Sequence, residues 1–329
     1  MSSTTPDTQV PDGALTRLEH YPVTFFAIGM GMLGLTLALR GAERAWGFPA
    51  TVSGFALLVS CLLLAAVAVG YLAKAIRMPS AVVAEWNHPV KVAFFPAISI
   101  STILLATALL PISPVAAEAI WLIGVSVQGV LSLAVIGSWI SHRPFQTPHL
   151  SPAWFIPAVG NVLVPIAGVE LGYTDLSWLF FSAGLLFWLV LLTLVMNRLV
   201  FHDPLPGRLV PTLTILIAPP AVAYVAWSHL VPDPGPFGQI LLSLGYVFFL
   251  IVVTQAQRFR SIPFALSWWA LSFPVAALSI ASFVHAQETG SATYRGLGTL
   301  VLALLIAIIA LLLVRTGKAI LRREICLPE

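Results

Sequence analysis

The chain has 329 residues, of which 59% are hydrophobic and 9% charged, against the roughly 25% charged of a soluble globular protein. With a mean hydropathy of +0.96 there is too little polar side chain to cover a water-facing surface, so a soluble fold is excluded and lipid is the main solvent. The net charge of +3 is no sign of a nucleic-acid partner, because in such a chain the placement of basic residues matters more than their sum.

From the N-terminus, residues 1–19 are polar, carry acids, prolines and one basic residue, Arg17, and read as a cytoplasmic tail rather than a signal peptide. Ten apolar segments follow, at about 20–41, 51–76, 89–110, 116–141, 153–169, 175–201, 208–230, 238–258, 263–285 and 294–321. The fifth, at about 17 residues, is near the lower limit for a span. None shows the period-two alternation of an outer-membrane strand, and a spanning segment must satisfy its own backbone hydrogen bonds. The predicted fold class is therefore an all-α integral membrane protein of ten transmembrane helices. Residues 20–321 form its membrane domain and 322–329 a second cytoplasmic tail.

Of the 16 Lys and Arg, only Arg40, Arg44 and Arg295 fall on one side of this arrangement. The others, among them Lys74, Arg143 and the cluster from Arg315 to Arg323, fall on the opposite side. The positive-inside rule puts that side, with both termini, in the cytoplasm of a cell whose inner (plasma) membrane holds the chain.

Proline divides the segments into two kinds. All five even-numbered segments lack it, whereas the odd-numbered ones hold Pro22, Pro89, Pro96, Pro157, Pro165, Pro211, Pro219, Pro220, Pro263 and Pro274. A proline inside a helix removes one hydrogen bond, bends the helix and leaves a carbonyl for a neighbour or water. Pro96, Pro165, Pro219 and Pro274 recur at about one helical hairpin each, with Gly31, flanked by Gly29 and Gly34, replacing proline in the first segment. The pattern predicts five hairpins, with kinked odd helices inside around a central pore and straight even helices outside. Phe181, in the sixth segment, is expected to face lipid.

Ionisable groups at membrane depth mark coupled carriers and membrane enzymes. Here Glu118, Glu170, Asp175, Glu288 and His285 lie at segment ends, and no inward Arg or Lys is evident. No metalloprotease, nucleophile-elbow or Walker motif is present, so no catalytic residue is assigned and the chain is read as not an enzyme. Cys61 and Cys326 are too far apart in sequence to suggest a metal site, and no metal or cofactor is expected. The odd segments do carry neutral polarity at Thr24, Ser99, Thr102, Asn161, Thr214 and Ser272. Such groups replace part of an ion's hydration without trapping it, although each taken singly serves equally for hydrogen bonding between helices. Lys91, Arg208 and Arg258 are candidates for an anion-attracting cytoplasmic mouth, a placement the positive-inside rule also explains.

Three stretches carry a resemblance: His20-Tyr-Pro-Val-Thr-Phe-Phe26 followed by Gly29-Met-Gly31, Glu85-Trp-Asn-His-Pro89 running on to Pro96, and Ser267-Trp-Trp-Ala-Leu-Ser-Phe273-Pro274. Together and in this order they resemble the tellurite-resistance/dicarboxylate transporter family, in its branch of bacterial homologues of plant slow-type anion channels. The resemblance implies ten helices as five hairpins around a pore in each protomer, assembly as a homotrimer, and a pore gate at the ninth-helix phenylalanine, here Phe273. It implies a gated channel for small inorganic anions such as chloride or nitrate. The alternative is a secondary carrier or exporter of a C4-dicarboxylate, sulfite or a tellurite-type oxyanion, since family members act in each way.

Overall fold

The computed structural model describes residues 17–141 and 145–326, without the Arg260 side chain. Most of the expected N-terminal tail, Arg143 and residues 327–329 lie outside the described residues. The described residues form helices and turns with no strand. Ten long helices, numbered in chain order, are α1 (Phe26–Trp46), α2 (Thr51–Arg77), α3 (Ala97–Leu109), α4 (Pro114–Ile140), α5 (Phe155–Gly168), α6 (Thr174–Phe201), α7 (Ala218–Leu230), α8 (Gly235–Thr254), α9 (Ser272–Thr289) and α10 (Ala292–Leu321). Shorter helices, Pro79–Asn87 and Ala256–Arg260, lie in connections.

Each odd-numbered helix is entered through a tighter 3-10 stretch: Val23–Phe25, Lys91–Phe94, Pro152–Trp154, Gly207–Ile217 and Leu266–Leu271, respectively. Proline explains most of this. Pro96 immediately precedes α3, Pro157 is the third residue of α5, Pro219 and Pro220 open α7, and Pro274 is the third residue of α9. A proline in the first helical turn is tolerated because that turn's N–H groups have no partner within the helix. It also cannot donate four residues back, so the chain upstream tightens into three-residue turns. The repeat thus marks a 3-10-to-α junction. Pro165 does not share it: it lies near the C-terminal end of α5, and Pro157 holds the position equivalent to Pro274.

Among the described residues nine helices, counted with their 3-10 entries, are long and apolar enough to cross a membrane. The tenth, Pro152–Gly168, is apolar but shorter. At 1.5 Å per residue it rises about 25 Å, against a hydrocarbon core of about 30 Å. It is surrounded by protein: every residue of α5 except Ile166 is buried.

Burial separates the two sets of helices. In the spans containing α1, α3, α7 and α9, 72–94% of the most apolar stretch is buried, against 28–39% in α2, α4, α6, α8 and α10. The odd helices close a ring, α1 packing on α3, α3 on α5, α5 on α7, α7 on α9 and α9 on α1, and each even helix packs along the odd helix before it. Within a bilayer such packing rests on close fit, because lipid is as apolar as leucine. α1 accordingly runs unbroken through Gly31, whose missing side chain leaves room for Ser272, and a Cβ on Gly34 would stand 2.9 Å from Ala276 Cβ. These glycines seat α1 against α9; Gly31 is a close-approach position within a continuous helix.

Phe181 is a correction. It is 2% exposed and packs beside Trp178 and Trp227. α6 is apolar all round, so composition does not show that Ser177, Phe181, Gly184 and Trp188 form its protein-facing stripe.

Candidate functional site

Two cavities lie along the inner ring among the described residues. The larger, of about 370 Å³, lies toward the turns that join each odd helix to the next even one; the smaller, of about 30 Å³, lies toward the 3-10 entries. On every inner helix, apart from the shared Phe273, the residues lining the small cavity precede those lining the large one. Along α3 they run Ala97, Ile100, then Leu104, Thr107; along α5 Ile156, Val159, then Leu163, Ile166; along α7 Ala218, then Val222, Val225, His229. Steps of three and four place these on one helix face, so five faces line a common axis.

One residue borders both cavities. Phe273, the second residue of α9 and 5% exposed, lines each of them. Its ring edge would stand 3.4 Å from a Cβ on Gly34 of the neighbouring α1, so the ring packs where that glycine leaves space. Pro274 follows it in the first turn of α9, just past the 3-10-to-α junction. The small cavity is lined by apolar side chains and the Trp269 indole, whose Nε1 donates to Thr316 Oγ1 at 3.0 Å.

The large cavity carries the charge. Arg40 and Arg44 of α1, Glu170 after α5, His229 of α7 and Gln287 of α9 line it. His229 Nδ1 lies 2.9 Å from the Val225 carbonyl and must donate to it, so its Nε2, 3.4 Å from Glu170 Oε1, pairs with the carboxylate only when that nitrogen also bears a proton. That contact, helped by Arg44, holds the Glu170 carboxyl below the usual carboxylate range against the opposing effect of burial. Arg40 is an inward-facing guanidinium, which corrects the expectation of none. α1 extends to Trp46, five residues past the predicted end of the first segment, so Arg40, beside that predicted end, lies well inside the helix.

The other sequence candidates are placed elsewhere. None of Thr24, Ser99, Thr102, Asn161, Thr214 and Ser272 lines either cavity. Thr102 and Ser272 donate to the Ile98 and Trp269 carbonyls of their own helical turns. Ser99 donates to Gln128 Oε1 at 2.6 Å, and Gln128 Nε2 donates to the Pro157 carbonyl at 3.0 Å and to Asn161 Oδ1 at 3.2 Å. Thr24 is half-buried, and Thr214 Oγ1 is buried without a hydrogen-bond partner among the described residues. Lys91 is half-buried at the 3-10 entry to α3, while Arg208 and Arg258 are exposed at the terminal end; none of the three lines a cavity.

Sequence reasoning passed over Gln128, the fully buried amide of α4 that ties α3 and α5 together. A lone glutamine inside an otherwise apolar segment was the available signal, since an amide at membrane depth needs partners. Glu85 has a comparable role. Its carboxylate accepts from the Val23 N–H at 2.8 Å, Tyr71 OH at 3.1 Å and Lys74 Nζ at 2.9 Å, fixing the entry to α1.

A family model described as voltage-dependent anion channel (SLAC1) matches residues 20–317. The S-type anion channel SLAH2 of Arabidopsis thaliana is 29% identical over 285 residues, covering 84% of this chain and 55% of its own length. The guard cell S-type anion channel SLAC1 of the same plant is 25% identical over 309 residues, covering 91% and 56%. A tellurite resistance protein TehA homolog of Haemophilus influenzae is 26% identical over 287 residues, covering 82% and 84%. The chain spans about half the length of the plant relatives it matches. With the family model reaching from the entry of α1 into the last turns of α10, the chain belongs to the SLAC1 family of anion channels and transporters.

Proposed function

We propose that the chain is a gated channel for small inorganic anions such as chloride or nitrate, with ten spans in five hairpins, a pore along the axis of the odd helices and a gate at Phe273. The observation that carries this reading is a pair of cavities, built on all five inner helices, that share the single phenyl ring of Phe273. An apolar constriction expels water, and a bare anion pays a large desolvation penalty to cross it, so a ring suffices for closure without any charge. The small cavity, with no ionisable side chain, gives an ion nothing to bind too tightly. The split of basic residues supports cytoplasmic termini, which makes the large cavity the outer one. The family resemblance supports a homotrimer with a pore in each protomer.

Planar-bilayer recording tests the gate. Phe273→Ala is expected to raise anion conductance severalfold or more, while Phe55→Ala, on the exposed face of α2 at 69% exposure, leaves it unchanged. A well-folded Phe273→Ala protein that conducts no more than the parent would return the ring to ordinary packing.

The Glu170–His229 pair, which lines the same cavity as Arg40, favours a second reading, a secondary carrier of a C4-dicarboxylate or an oxyanion such as sulfite or tellurite, since coupled carriers use such groups. Electroneutral uptake into liposomes driven by a pH gradient would support it; a reversal potential that follows chloride or nitrate supports the channel.

A further inference from the structure

Arg40 is a cation with no carboxylate in ion-pair contact among the described residues. It is 8% exposed and lines the large cavity. Its Nη1 donates to the Ala108 carbonyl at 2.7 Å, one of the C-terminal carbonyls of α3 that lack a helical partner. That bond fixes the guanidinium plane and leaves its other donors without a hydrogen bond to any described residue. Of the nearby acids, Glu43 Oε1 accepts from the Val52 and Ser53 N–H groups at the start of α2 and its charge acts on Arg40 without a hydrogen bond to it, while Glu170 faces His229. Capping α3 requires only a neutral donor, so the cap leaves the charge unexplained. A positive group at membrane depth is costly unless something compensates it.

The position is suggestive of what does. Six residues, about 9 Å of helix rise, separate Arg40 from Gly34, where the Phe273 ring packs. Arg44 lies one turn farther out on α1, and His229 borders the same space from α7.

We infer that Arg40 is the anion-binding residue of the outer cavity, holding a monovalent inorganic anion of the halide or nitrate class on its unbonded edge. Arg44 adds field at the lip, and the Glu170–His229 pair supplies the opposing charge that keeps the site from binding too tightly. The consequence for flux rests on the channel reading; the binding itself does not.

The test has two arms. Crystals of the full chain soaked in bromide are expected to show an anomalous peak within hydrogen-bond reach of the Arg40 guanidinium. The peak should be lost in Arg40→Gln, which can still donate to Ala108, and kept in Arg40→Lys. In planar bilayers, adding Arg40→Gln to the Phe273→Ala background should raise the half-saturating external chloride concentration about tenfold, the scale of one lost charge-assisted hydrogen bond. Arg322→Gln, at the exposed end of α10, is the control and should not move it. The proposal is overturned if bromide leaves Arg40 empty while marking other arginines of the parent protein, or if half-saturation is unchanged. Should Arg40→Gln not fold, the parent's bromide peaks still decide the site. Should Phe273→Ala not conduct, the gate assignment fails and the bromide arm stands alone.

Discussion

Gln128 and Gly160 show how much one side chain can demand of a neighbour in a lipid-solvated fold. A Cβ on Gly160 would overlap the Gln128 amide, so the glycine of α5 is the space in which the amide of α4 sits and reaches Asn161 and the Pro157 carbonyl. Gly160→Ala should therefore push the amide off its partners and destabilise the protein by about 1–3 kcal/mol, the usual cost of overpacking. The measurement is thermal unfolding in detergent, with Gly54→Ala, where a Cβ meets nothing within 4 Å, as the control; equal melting temperatures for the two variants would refute the argument. The same scale explains which site residues the sequence could show. Phe273 was singled out through the family resemblance of the motif that carries it, and its place between the two cavities could not be read from the sequence. The hydroxyls were misleading because serine and threonine in a helix can bond carbonyls three or four residues back, as Thr102 and Ser272 do. Arg40 was hidden by its position near a segment end, where the positive-inside rule gives any arginine an explanation that does not involve a cavity.

At the level of elements, the alternation of proline-bearing and proline-free segments reads directly onto buried and half-exposed helices, because a helix with an interrupted backbone needs protein or water at the break. What the repeat did not reveal was register. Pro157 and Pro165 are both in the fifth segment, and only the 3-10 entry at Pro152–Trp154 shows that Pro157 is the junction residue. The outward and inward faces of the even helices were equally hidden, since lipid-facing and protein-facing positions are both apolar there. The entry to α1, which has no proline at its junction, relies instead on a buried ion pair. Lys74 Nζ bonds both Glu85 Oε2 and the Tyr21 carbonyl, at 2.9 and 2.8 Å, with both side chains under 5% exposed. Removing one member leaves an uncompensated buried charge, at a cost of about 3–5 kcal/mol. Glu85→Ala should be strongly destabilising, and Lys74→Met combined with Glu85→Leu markedly less so than the two single changes summed. A double-mutant cycle on unfolding in detergent checks this, and additive losses would mean that the pair does not act as a unit.

The whole molecule is organised by a ring that closes within one chain, since α9 returns to α1 and no inner helix is left with an open edge. Both proposed gate and proposed anion site lie inside that ring, so the proposed path runs within a single chain. The charge distribution gives the ring a direction. With most basic residues at the terminal end and Arg40, Arg44 and Arg295 at the other, a reporter active only in the cytoplasm should be active when fused after Glu329 and silent in the turn between α1 and α2; the reverse pattern would invert the proposed orientation. The proposed assembly as a trimer adds a sharper expectation. The even helices leave most of their surface outside the protomer, and copies that meet through those faces would leave the inner rings untouched. Current should then be a sum over independent paths. In linked trimers carrying none, one, two or three Phe273→Ala protomers, macroscopic anion conductance per trimer should rise in equal steps. A pore shared on the threefold axis would instead respond to all three rings together, and conductance would stay low until the last was removed. Equal steps are thus the signature of three paths, each closed by its own phenyl ring, and a single late jump would place conduction between the protomers.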